Sequence, residues 1–120
     1  MMKYFLFFGV ILFLVFTACK KDKTQTTEFD VECDEEISFN SDIIAIIASS
    51  CATSGCHNAA SASSGYVFEN HQQISSNADI ILSVIRHEEG VVAMPIGAPK
   101  LSDEFAENFF CWIEQGKEDN

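Results

Sequence analysis

Residues 51–57 read Cys-Ala-Thr-Ser-Gly-Cys-His, two thiols followed at once by an imidazole. A thiol can add across a vinyl group to form a thioether, and an imidazole can ligate iron. In this order they are the chemistry of covalent haem attachment, whose usual spacing, C-x-x-C-H, puts two residues between the cysteines. Here four residues separate Cys51 from Cys56. Ser54-Gly55 can make a compact turn, because Gly55 is free to take conformations closed to other residues. The longer loop can then bulge without moving Cys51 or His57.

An iron held by His57 has a second axial position, and Met94, His71 and His87 are the candidates for it. Met94 is the best of the three. It lies 37 residues after His57 in the stretch Val91 to Lys100, which also holds Pro95, Gly97 and Pro99. Pro95 keeps Met94 out of helical geometry. A Met ligand raises the potential and fills the sixth position, which suits electron transfer rather than oxygen chemistry. A lone Met is otherwise gap-filling core; the Cys-Cys-His motif is what makes Met94 a ligand candidate. His87 sits beside Glu88 and Glu89 and reads as a surface residue whose charge those carboxylates favour. His71 lies in a polar stretch and is expected to be exposed.

The chain has five cysteines, and the N-terminus accounts for one. Lys3 precedes an almost unbroken apolar run of thirteen residues, Tyr4 to Phe16. That run is short for a membrane span and has the order of a secretory signal. Its ending, Val15-Phe16-Thr17-Ala18-Cys19, resembles a bacterial lipobox, which implies cleavage before Cys19 and lipidation of Cys19. An uncleaved anchor is the competing reading. On either reading the chain leaves the cytoplasm and stays attached to a membrane, and a multiply acylated cysteine anchors stably. Residues 19–32 then form a lipidated tether. As a flexible coil, thirteen residues reach about 20 Å. By resemblance to known sorting rules, Lys20 argues against inner-membrane retention. The acidic cluster of Glu32, Asp34, Glu35 and Glu36 comes late for a surface-export signal, so an outer membrane facing the periplasm is expected.

Export to an oxidising compartment makes free thiols uncommon. With Cys19 lipidated, the simplest account is two thioethers at Cys51 and Cys56 and one disulfide, Cys33–Cys111. In the chain-entropy account, a loop of about 78 residues is worth roughly 4–5 kcal/mol. Two disulfides without haem, Cys33–Cys111 and Cys51–Cys56, are the competing account. A metal site at Cys51, Cys56 and His57 is a third, but no second Cys or His cluster follows at zinc-ligand spacing.

Cleavage before Cys19 leaves 102 residues, one domain's worth, with six Lys and Arg against eighteen Asp and Glu, a net charge of −12. Such a surface repels nucleic acid and anionic lipid and favours a partner with a basic docking face. The domain is read as residues 33–120, all-α, with about three helices and long loops. Asn40 or Ser41 caps the first helix, whose face of Ile43, Ile46, Ile47 and Ser50 runs into Cys51. Residues 58–65 are small and polar, a loop, and Glu69 to Ser75 forms a short helix or turn. Asn77 caps a helix with the stripe Ile80, Ile81, Val84 and Ile85, stopped by Gly90. Ser102 caps the last helix, which buries Phe105, Phe109, Trp112 and Ile113 and ends at Gly116. The tail from Lys117 is expected to fray. The apolar residues make a thin core, and domains of this size often need a staple or a cofactor.

The order of helix, Cys51 to Asn58, polar loop, helix, Met94 to Gly97, Leu101 to Asp103 and Trp112 to Gly116 resembles small bacterial cytochrome c-like domains, including those on exported lipoproteins. The resemblance covers about Cys33 to Gly116. It implies a compact fold around a covalently bound haem, with Cys51 and Cys56 as thioether residues, His57 as proximal and Met94 as distal iron ligand. It also supports the Cys33–Cys111 pairing. The implied function is single-electron transfer between larger redox proteins, with no substrate. A haem-free, disulfide-stapled binding or structural lipoprotein is the alternative. A haem enzyme would need a distal catalytic pair that the sequence does not supply, and Met94 would block its site.

Overall fold

The computed structural model describes residues 31–120. The expected signal segment 1–18, the lipidated Cys19 and all but the end of the tether lie outside the described residues. The elements are a π-turn, Phe39–Ile43, running directly into α1, Ile44–Ser50; a 3-10 turn, Ser63–Gly65; α2, His71–Ser75; α3, Ala78–Arg86; and α4, Asp103–Glu114. No strand occurs among the described residues, so the domain is all-helical.

The first helical segment begins earlier than its cap residues suggest. Ser38 is the cap, its Oγ accepting from the Ser41 N–H at 3.3 Å. Asp42 Oδ2 accepts from the Ser38 N–H at 2.8 Å. This is the reciprocal logic of a capping box, with the returning carboxylate one position further along because the first turn is wide. Ile43 and Ile47 are fully buried, while Ile46 and Ser50 are half-buried at the edge of the core.

Helix α4 follows its sequence signals. Ser102 Oγ accepts from the Phe105 N–H at 3.2 Å, and Asp103 and Glu104 lie in the first turn, where negative charge is favoured. Phe105, Phe109 and Trp112 share one face and are buried, whereas Ile113, expected with them, is half-buried. At the far end, the Lys117 N–H donates to the Trp112 carbonyl at 2.9 Å and the Gly116 N–H to Ile113 at 3.1 Å. Gly116 has φ +105°, the left-handed residue of a Schellman end.

Trp112 organises the core. It is fully buried, its ring centroid 5.4 Å from Phe109 and 5.6 Å from Phe39. Its indole N–H donates to the Glu118 carbonyl at 2.9 Å. The centre is therefore closed by side chains, Trp112 and Phe109 together with Ile43, Ile47, Ile74, Ile81 and Ile85. Next to Trp112, Cys111 is bonded to Cys33 with Cα atoms 5.3 Å apart, which fixes the expected pairing.

Three further expectations are corrected. The tail does not fray. The Asn120 carbonyl accepts from the Asn40 N–H and the Ser38 hydroxyl, each at 2.9 Å, and Asn120 Oδ1 accepts from the Phe39 N–H at 2.8 Å. Residues 117–120 thus strap α4 to the start of the first helix. His71 is not a surface residue, because its ring lies edge-on to Phe39 at 4.8 Å and Nε2 donates to the Lys117 carbonyl at 2.8 Å. Helix α3 ends at Arg86, four residues before Gly90, and Ile80 is left exposed on its outer face.

Cys33→Ser should lower unfolding stability by about 2–5 kcal/mol, read from chemical denaturation of the purified domain. Equal denaturation midpoints for the variant and the wild type would contradict the structural role of the bond.

Candidate haem-attachment site

The Cys51–His57 segment grows out of the end of α1. The N–H groups of Cys51 and Ala52 both donate to the Ile47 carbonyl, at 2.8 and 2.9 Å, which satisfies that helix end. The next four residues form a closed turn: the Cys56 N–H donates to the Thr53 carbonyl at 3.0 Å. Gly55 is its third residue, with φ +83°, a value that type II turns require there and that glycine takes without strain. The His57 N–H then donates back to the Cys51 carbonyl at 3.0 Å. The two residues beyond the usual spacing are thus held at the tip of a hydrogen-bonded turn. Ser54 and Gly55 face solvent, and the Gly55 N–H is tied to Ser61 Oγ at 2.8 Å.

The thiols differ in setting. Cys56 is exposed and Cys51 half-buried, and neither is in a disulfide. Burial pushes the Cys51 thiol up to about 11, with a further upward contribution from the negative charge of a neighbouring Cys56 thiolate.

His57 is positioned by a segment that the sequence pattern did not assign to the site. The Phe68 N–H donates to the His57 carbonyl at 2.9 Å, and the His57 ring lies 4.9 Å from the buried Phe68 ring and 6.3 Å from Tyr66. His57 Nδ1 is 3.3 Å from the Tyr66 carbonyl. A carbonyl only accepts, so Nδ1 carries the proton and the Nε2 lone pair is left for a ligand. A backbone carbonyl on the second ring nitrogen is the usual way that a metal-ligating His is oriented. The signal for this partner was the apolar Tyr66-Val67-Phe68 after a polar loop, but nothing local says that the loop returns to His57.

Met94 stands on a different element, held by the end of α3. Its N–H donates to the Val84 carbonyl at 3.0 Å, and its own carbonyl accepts from His87 Nε2 at 3.0 Å. The structure thus brings Cys51, Cys56 and His57 into one turn and Met94 and His87 into another group, while His71 is committed to the core. Val92 and Ile96, on either side of Met94, are 63% and 72% exposed, apolar surface of the kind that a flat apolar ring would cover.

These features are compatible with a haem: one exposed and one half-buried thiol, an imidazole with Nε2 free, a thioether on an apolar loop. A depression of about 410 Å³ elsewhere, lined by Asp34, Glu36, Ile37, Trp112, Gln115, Glu118 and Asn120, includes none of them. Its three carboxylates would repel the propionates of a haem. Among the described residues, no three His, Cys, Asp or Glu side chains are grouped to hold a metal ion by themselves, and no helix is long and apolar enough to cross a membrane. Comparison with known proteins finds no match to this chain, whether by family model, among curated sequences or among solved structures.

The thiolate is the nucleophile in alkylation. With its thiol at about 11, Cys51 is about one part in a thousand thiolate at pH 8. In the haem-free chain iodoacetamide should therefore label Cys56 first, and labelling of Cys51 should rise nearly tenfold per pH unit from pH 8 to 10. Peptide mapping by mass spectrometry reads both rates; equal rates at pH 8 would contradict the assigned burial.

Proposed function

We propose that this chain is a lipid-anchored carrier of single electrons: a small cytochrome c-like domain with haem covalently attached at Cys51 and Cys56, and iron ligated by His57 and Met94. The observation that carries the reading is the His57 imidazole, held by the Tyr66 carbonyl with Nε2 free, in the residue directly after a turn that presents two thiols.

Bound haem would supply a one-electron iron couple. The chain's residues do the rest. Cys51 and Cys56 would hold the haem by addition of each S–H across a vinyl group, sulfur to one carbon and proton to the other, which needs no oxidant. The Tyr66 carbonyl keeps the His57 proton on Nδ1. Met94 would hold the iron through its thioether, a ligand that raises the potential and disfavours oxygen chemistry. Val92 and Ile96 offer apolar surface. The acidic exterior favours a redox partner protein with a basic face and disfavours nucleic acid. Cys19, through its lipid, would keep the domain at a membrane, by the sorting residues an outer membrane facing the periplasm.

The chief alternative is a haem-free, disulfide-stapled binding or structural lipoprotein. It is favoured by one observation, that a single hydrogen-bonded segment carries both Cys51 and Cys56 outside the Cys33–Cys111 bond, since two such thiols are candidates for a second disulfide.

Redox titration of the protein made in a host that matures c-type cytochromes separates the two. The carrier reading expects a single one-electron couple and a Met–iron charge-transfer band. In Met94→Ala the band disappears and the potential falls. A colourless product with a Cys51–Cys56 disulfide would support the alternative.

A further inference from the structure

Two helices of this domain end in the same backbone motif, but only one does so with glycine. At the end of α4 the left-handed residue is Gly116. At the end of α3 the Glu88 N–H donates to the Ser83 carbonyl at 3.1 Å and the His87 N–H to Val84 at 3.3 Å. His87 takes the left-handed position, with φ 58° and ψ 43°. A side chain there costs energy that glycine does not, and Gly90 stands only three residues further on. Ala62, Ser64 and Lys117 share this left-handed region, so what singles out His87 is the contact its ring makes.

The His87 ring has a specific partner. Nε2 lies 3.0 Å from the Met94 carbonyl, and because a carbonyl only accepts, His87 donates. The Met94 N–H in turn donates to the Val84 carbonyl at 3.0 Å, the same oxygen that receives the His87 N–H and has a lone pair for each. Both backbone polar groups of Met94 are therefore held by the last turn of α3, one directly and one through the imidazole. Around them the loop is open, with Val92, Ala93, Ile96 and Gly97 all exposed.

We propose that His87 is a positioning residue for Met94: its imidazole clamps the Met94 carbonyl and fixes the otherwise exposed loop that presents the thioether. The left-handed turn is what swings the ring from the helix end towards that loop. As a role in ligation, this rests on Met94 being the distal ligand. As a clamp, it belongs to the chain with or without haem, so the two can fail separately.

His87→Gly separates the ring from the turn, since glycine suits the left-handed position and removes only the clamp. In the haem-free chain, hydrogen exchange at the Met94 amide should quicken about fivefold, the effect of losing one side-chain hydrogen bond. The thermal midpoint should not fall. His87→Gln, which reaches about as far and can donate, should restore slow exchange. Unchanged exchange in His87→Gly, or fast exchange in both variants, would overturn the clamp. In haem-loaded protein, His87→Gly should weaken the Met–iron charge-transfer band while leaving some of it, and His87→Gln should recover it. A band unchanged in His87→Gly would overturn the ligation role, as would sixth-ligand signals lost there but kept in Met94→Ala, which would make His87 the ligand. A chain that never takes up haem would end the carrier reading, and the exchange measurement would still decide the clamp.

Discussion

Helix α4 carries the constraint on which the other elements depend. Cys111 binds it covalently to Cys33, and the next residue, Trp112, is the buried ring against which Phe39 and Phe109 pack. Small secreted domains commonly lose about 2–5 kcal/mol with a native disulfide, and truncating a buried Trp costs about 3–5 kcal/mol. Each is a large share of the roughly 5–15 kcal/mol by which domains are stable. The strap of residues 117–120 adds to the same corner, closing the end of α4 over the start of the first helix through Asn120. That corner holds α4 against the start of the helical segment whose other end leads into Cys51.

That arrangement leaves the candidate site at the rim of the core. Ile43 and Ile47 anchor the first helical segment, and Cys51 is the first residue beyond α1. The turn is rigid because its backbone groups are paired, and it is accessible because its tip and Cys56 face solvent. A core already filled by side chains means that a haem would not be its centre. It would lie against the domain's outer apolar surface, and the exposed Val92 and Ile96 are part of what is left to meet it.

What could be read from the sequence was what local chemistry decides. The ends of the last helix and most of its buried face were legible, because Ser102, the acidic first turn, the Phe105, Phe109 and Trp112 spacing and Gly116 all act within a few residues; Ile113 lies at the edge of that face. The cysteine pairing followed from counting. The start of the first helix was displaced because Ser38 and Asp42 make a wider first turn than the α pattern assumes. The burial of His71 depends on Phe39 and Trp112, far away in sequence, and the strap depends on Asn120 meeting Asn40. Neither leaves a local trace. At the site, residue types and spacing named the thiols, His57 and Met94. The Tyr66 carbonyl and the His87 clamp were invisible, the first because a backbone oxygen has no sequence signature. The second was hidden because Gly90 is the residue that helix-end rules favour.

The central claim is covalent haem at Cys51 and Cys56. It is tested most directly by the mass of the protein purified under denaturing conditions from a host that matures c-type cytochromes, combined with a count of alkylatable thiols. The account predicts a mass increase of one haem, no thiol available at Cys51 or Cys56, and an intact Cys33–Cys111 bond. An unmodified mass, with both thiols free or joined to each other, would contradict it.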